Sequence, residues 1–103
     1  MHPAIAEKRA ELVDACKQFD VARLDIFGSG ARGADFDPAR SDADFIVSFR
    51  PHPGRDRYLD LKEALQAILR RPVDLMDRRS IEASRNYIRR RAILETAEPV
   101  YVA

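Results

Sequence analysis

Two carboxylates one residue apart, Asp42 and Asp44, lead into the apolar run Phe45-Ile46-Val47, and twelve residues separate them from an upstream Gly28-Ser29 pair. On a strand, side chains repeat every second residue. Asp42, Asp44, Ile46 and Ser48 therefore share one face, and Ala43, Phe45, Val47 and Phe49 the other. Neighbouring carboxylates repel each other and favour a cation between them; hard oxygen ligands select Mg²⁺ or Mn²⁺ over zinc. Leu24-Asp25-Ile26-Phe27 reads as a short buried strand, and Gly28 lets the backbone turn sharply while approaching a ligand closely. Ser29 and the amides after it open a short helix, whose unpaired N–H groups suit phosphate. A phosphate cradle beside a divalent-metal site is what nucleotide transfer needs. Asp74 lies on a second apolar strand, Val73 to Met76, and completes the site if that strand lies beside the first.

Each half of this pattern has an ordinary reading. A Gly-Ser pair alone is a common turn, and Asp-x-Asp alone is usually a solvated loop end. Gly28-Ser29-Gly30-Ala31-Arg32-Gly33 also matches the dinucleotide fingerprint G-x-G-x-x-G. Only ten residues, Pro38 among them, separate Gly33 from Asp44, too few for the helix that a dinucleotide-binding unit requires. A second Asp-x-Asp, Asp35-Phe36-Asp37, has no apolar strand behind it. The chemistry therefore falls to Asp42 and Asp44.

The elements that must position these residues fit one domain spanning residues 1–103, with a modest core. Hydrophobic residues make up 46% and charged residues 34%, as in a globular, water-soluble chain. No apolar run approaches the ~18 residues of a membrane span, and no signal-peptide pattern is present, so a cytoplasmic location is expected. Cys16, the one cysteine, excludes an internal disulfide and reads as a small buried helix residue. His2 and His52 lack metal-ligand spacing. The net charge of +1 hides a split: residues 1–69 hold ten Lys/Arg against twelve Asp/Glu, and residues 70–103 eight against five. The basic part includes Arg85 and Arg89 to Arg91, without the aromatic interleaving of single-strand binders, so no direct nucleic-acid contact is expected.

Pro3 starts a helix reaching about Phe19. Strands follow at Leu24–Phe27 and Asp44–Phe49, the second ended by Pro51-His52-Pro53-Gly54. Tyr58, Leu61, Leu65, Ile68 and Leu69 form the apolar stripe of a helix that must stop before Pro72. Strand Val73–Met76, a helix from about Ser84 to Glu95 and a short strand Val100–Val102 complete an αβαβαβαβ order. Such an order suits a compact α/β domain.

The stretch GSGARGADFDPARSDADFIV resembles the minimal nucleotidyltransferase branch of the polymerase-beta superfamily, whose signature is Gly-Ser, a spacer, Asp-x-Asp and a later acid. The resemblance extends to Val73-Asp74-Leu75, Arg91-Ala92-Ile93-Leu94-Glu95 and Pro99-Val100-Tyr101, nearly the whole chain. It implies a palm-like α/β domain, a small mixed sheet flanked by helices. It also implies an antitoxin that moves AMP from ATP onto a tyrosine hydroxyl of a HEPN-domain toxin, the partner. Asp42, Asp44 and Asp74 would hold Mg²⁺, or Mn²⁺, and Gly28 and Ser29 the phosphates, with Arg32 a further phosphate contact. Two departures stand out: a spacer about two residues longer than in similar chains, and Ala97 where a glycine often ends the helix. The absence of an acceptor-binding domain suggests that the acceptor is a protein with its own binding surface. Apolar surface should then stay exposed near the last or the long helix, as a homodimer contact or a toxin-binding face rimmed by Arg85 and Arg89 to Arg91. Rival readings are a non-catalytic antitoxin that only masks its partner, an adenylyltransferase of small molecules such as aminoglycosides, and one subunit of a larger nucleotidyltransferase.

Overall fold

The computed structural model describes residues 2–28, 43–51 and 57–103. Its elements run α1 (Pro3–Ala6), α2 (Arg9–Gln18), β1 (Val21–Phe27), β2 (Ala43–Phe49), α3 (Tyr58–Leu69), β3 (Val73–Asp77), α4 (Arg78–Glu82), α5 (Tyr87–Thr96) and β4 (Glu98–Val102). The strands form one mixed sheet in the order β3-β2-β1-β4. β1 is antiparallel to both neighbours, and β2 is parallel to β3. A parallel pair needs a long crossover, and α3 supplies it. The small mixed sheet flanked by helices is the fold class expected from the sequence.

The period-2 pattern sorts the strands between two faces. Leu24, Ile26, Ala43, Phe45, Val47, Val73 and Leu75 turn to one side. There they meet Ile5 of α1, Leu12 and Cys16 of α2, and Leu61, Leu65 and Leu69 of α3 in the main core. Cys16 is buried there, and loss of solvent pushes its thiol up to about 12. On the other face Phe27, Ile46 and Ile81 form a much smaller cluster, flanked by Met76, Ile93 and Leu94.

Local chemistry explains the element ends. His2 caps α1, its Nδ1 accepting from the Ala4 amide, and Pro3 occupies the first helical turn. Arg70, in the left-handed region at φ 54°, ends α3 two residues before Pro72, and Gln66 Oε1 accepts from the Val73 amide as β3 begins. The helix expected from Ser84 to Glu95 begins at Tyr87, where Asn86 caps it by accepting from the Arg89 amide. Its exit through Ala97 is extended, at φ −64°, so no glycine is needed there. β1 starts three residues earlier than expected. Pro99 lies on an edge strand, where a missing N–H costs least. The first helix, expected as one piece, is broken between Ala6 and Arg9.

Arg57 holds one corner together. It is buried and donates to the carbonyls of Phe19, Asp20 and Arg50 while its guanidinium stacks over Phe49 at 4.8 Å. These contacts tie the α2–β1 turn, where Asp20 has φ 53°, to the end of β2 and the start of α3. Among the described residues, no helix is long and apolar enough to cross a membrane.

Candidate active site

Asp44 and Asp74 are direct register partners across the parallel β2–β3 pair. Partners in register project to the same side of a sheet, here the side of Ile46, Met76, α4 and α5. Asp44 is half-buried and Asp74 exposed. The strand carrying Asp74 thus lies beside the strand carrying Asp44, the condition that the sequence left open. Asp44 also faces Phe27, the last residue of β1.

Gly28 comes next, at φ 68°, a conformation that glycine adopts at no steric cost. A Cβ on Gly28 would come within 3.1 Å of Asp44 Oδ2. Glycine is therefore favoured twice, by its backbone angle and by the tight space beside the carboxylate, which a Cβ would push aside. Its amide points to Thr96 Oγ1, 3.5 Å away at the end of α5, and the Thr96 hydroxyl lies 3.0 Å from the Ala92 carbonyl. The strand end, the glycine turn and the close of α5 thus meet at one corner.

Of the other residues singled out by the sequence, Ser29, Arg32 and Asp42 lie outside the described residues, as do the expected short helix at Ser29, the decoy pair Asp35 and Asp37, and His52. Among the described residues no group of three or more His, Cys, Asp or Glu side chains gathers as a metal site. The two acids that are described still suit a hard divalent cation. Their donors are carboxylate oxygens, and the glycine leaves open the space beside Asp44 that a Cβ would enter.

Sequence reasoning gave no role to Asp25, which is completely buried on β1. Its pairing opposite Ile46 places it on the same face as Asp44. Arg23 Nε lies 3.0 Å from both of its oxygens, and Arg78 of α4 donates to Oδ2. Arg78 thereby ties the helix that follows β3 down onto the sheet. The available signal was a charged residue inside an apolar strand, which burial obliges to find partners.

Beside β3 lies a half-open cavity of about 360 Å³, lined by Tyr58, Leu75, Met76, Ile81, Arg89 and Ile93 among others. The Tyr58 hydroxyl donates to the Leu75 carbonyl. Burial raises the pKa of this phenol, and the nearby charges of Asp74 and Asp77 raise it further. The cavity therefore opens within the field of the Asp74 carboxylate.

Known proteins resemble this chain in sequence and in fold. Residues 9–97 match the nucleotidyltransferase domain family. The protein adenylyltransferase MntA of Thermococcus cleftensis is 33% identical over 67 residues, 65% of this chain and 66% of that protein. The alignment thus spans just under two thirds of that relative's length. A solved chain assigned to the minimal nucleotidyltransferases is 27% identical, covers 96% of both chains and superposes with a TM-score of 0.70. A chain from the complex of tri-AMPylated Shewanella oneidensis HEPN toxin with MNT antitoxin is 17% identical, covers 95% of this chain and 72% of its own, and has a TM-score of 0.64, a likeness of fold. With the match covering most of its length, the chain belongs to the nucleotidyltransferase domain family.

Proposed function

We propose that the chain transfers AMP from ATP to a hydroxyl, most simply that of a tyrosine, on a HEPN-domain partner, and so acts as the antitoxin of a toxin–antitoxin pair. The observation that carries this reading is the register pairing of Asp44 with Asp74 beside the Gly28 turn. The names of the relatives supply the acceptor. One is a protein adenylyltransferase, and another chain of the same fold comes from a complex whose HEPN toxin is AMPylated.

In this reading Asp42, Asp44 and Asp74 hold Mg²⁺, with Mn²⁺ as substitute, while Gly28, Ser29 and Arg32 hold the β- and γ-phosphates of ATP. When bound, the metal would offset charge on the departing pyrophosphate and acidify the acceptor hydroxyl. Asp74, the more exposed of the two described acids, takes the hydroxyl proton. The acceptor oxygen bonds to the α-phosphorus as the α–β phosphoanhydride breaks, and pyrophosphate leaves. ATP as the donor agrees with a cytoplasmic location.

The test is intact-mass measurement of the HEPN partner after incubation with ATP and Mg²⁺. The natural chain should add one or more AMP units. Asp44→Asn keeps the shape but removes a charge from the metal site, so transfer should fall about a thousandfold, roughly 4 kcal/mol in barrier, while partner binding survives. Equal transfer by Asp44→Asn would place the chemistry elsewhere. Full neutralisation of an unmodified partner would favour the masking antitoxin.

A further inference from the structure

Three of the four large apolar side chains exposed among the described residues are chain neighbours of residues that line one cavity. Leu59 follows Tyr58, which lines the cavity beside β3, and Tyr87 and Ile88 precede the lining residue Arg89. Tyr87 is 71% and Ile88 85% exposed, although both lie in a helix. α5 buries no residue completely; Ile93 and Leu94 rest on the sheet only in part. A lone exposed leucine needs no explanation, but two adjacent exposed apolar residues on a helix that borders an apolar cavity mark an interaction surface.

The charges around the patch specify what fits it. Arg91 is paired with Glu95 at 2.8 Å, and Arg90 lies over the Tyr87 ring and donates to the Glu82 carbonyl. The guanidinium groups of Arg85 and Arg89 have no such partner among the described residues. Unpaired arginines beside apolar side chains suit carboxylates on an opposing protein surface. A second copy of this chain fits poorly, because a two-fold contact through this patch would set Arg85 and Arg89 against their own counterparts. Single-stranded nucleic acid fits poorly too, since Tyr87 is the one exposed aromatic ring of the patch and Arg90 already lies over it, leaving no series of stacking platforms.

Position links the patch to the chemistry. Leu75 and Met76, which line the cavity, directly follow Asp74 on β3. A side chain entering the cavity would therefore stand within two strand residues, about 7 Å, of that carboxylate. We propose that the exposed face of α5 and the cavity beneath it form the docking surface for the protein that accepts AMP, which sets an apolar or aromatic side chain into the cavity and carboxylates against Arg85 and Arg89. This rests on the reading that the acceptor is a HEPN-domain protein.

The experiment compares the natural chain with Ile88→Asp and with the double variant Arg85→Glu, Arg89→Glu. It measures affinity for a HEPN-domain protein that the natural chain modifies and, separately, affinity for ATP with Mg²⁺. All three substituted residues are exposed, so circular dichroism should show unchanged folding. Both variants should bind the partner at least about thirtyfold more weakly and bind ATP as the natural chain does. Natural-like partner affinity in both would overturn the proposal. So would a parallel loss of ATP affinity, which would assign the cavity to the nucleotide base. So would a natural homodimer that Ile88→Asp dissociates. If the natural chain neither binds nor modifies any HEPN-domain protein, the proposed function falls and this surface with it; the natural chain, run alongside, separates that failure from failure of the variants alone.

Discussion

The two faces of the sheet are built to different specifications. Among the described residues, sixteen buried apolar residues form a continuous core on the α1–α2–α3 side, while the α4–α5 side buries three apolar residues. The thick side holds aliphatic and aromatic side chains; the thin side carries Asp25, Asp44 and Asp74 on the same face of the sheet as Phe27 and Ile46. Under the proposed function Asp44 and Asp74 meet a cation and a nucleotide, which a sealing hydrophobic layer would forbid. One face therefore provides most of the stability, and the other is left accessible. The short α4 and the lightly packed α5 follow from that division.

Breaking the thick face should unfold the molecule. Leu65→Ala removes a fully buried side chain of α3 and should cost about 2–5 kcal/mol, read as a shift in the urea midpoint. A loss below that range would mean that the main core does not dominate stability.

On the thin face the largest stability effect should come from Asp25. Asp25→Ala strands Arg23 and Arg78, but both are partly exposed and can turn to water. The cost should be about 1–3 kcal/mol. Amide exchange should quicken in α4 more than in α2, since Arg78 ties α4 to the sheet. Uniform acceleration across the chain would show that the ion pair serves the whole fold instead.

The smallest stability change with the sharpest functional signature belongs to Gly28. An alanine there must hold φ near +68° at a cost of about 1–2 kcal/mol, and its Cβ would crowd Asp44 Oδ2. AMP transfer should fall further than stability alone explains. A variant with lowered stability but unaltered transfer per folded molecule would separate the glycine from the site.

How much of this was legible in the sequence varies with how local each signal is. The alternation in Asp44–Phe49 and the stripe of Leu61, Leu65 and Leu69 are period signals, and both elements fold as read. Asp44 and Asp74 were recognisable as candidates, but their adjacency depends on strand order, which no local pattern encodes. α4 was missed because five residues holding one apolar side chain, Ile81, show no period; what defines it is the Asp77 cap and the Arg78–Asp25 pair, 53 residues apart in sequence. Arg57 carries no local signal, because its carbonyl partners come from two segments distant in sequence, the α2–β1 turn and the end of β2. The expected exposed apolar surface near the last helix is present at Tyr87 and Ile88.

The position of β1 has a consequence for how the chain is made. β1 is an interior strand, paired with β2 on one side and with β4 on the other, where the Ala103 amide also reaches the Ala22 carbonyl. During synthesis β1 emerges early, while residues 98–102 emerge some seventy residues later. In the interval its outer edge carries unpaired backbone donors and acceptors beside Leu24 and Ile26, an invitation to pair with another chain. The native sheet closes only when residues 98–102 arrive, so that edge of β1 stays open until they do.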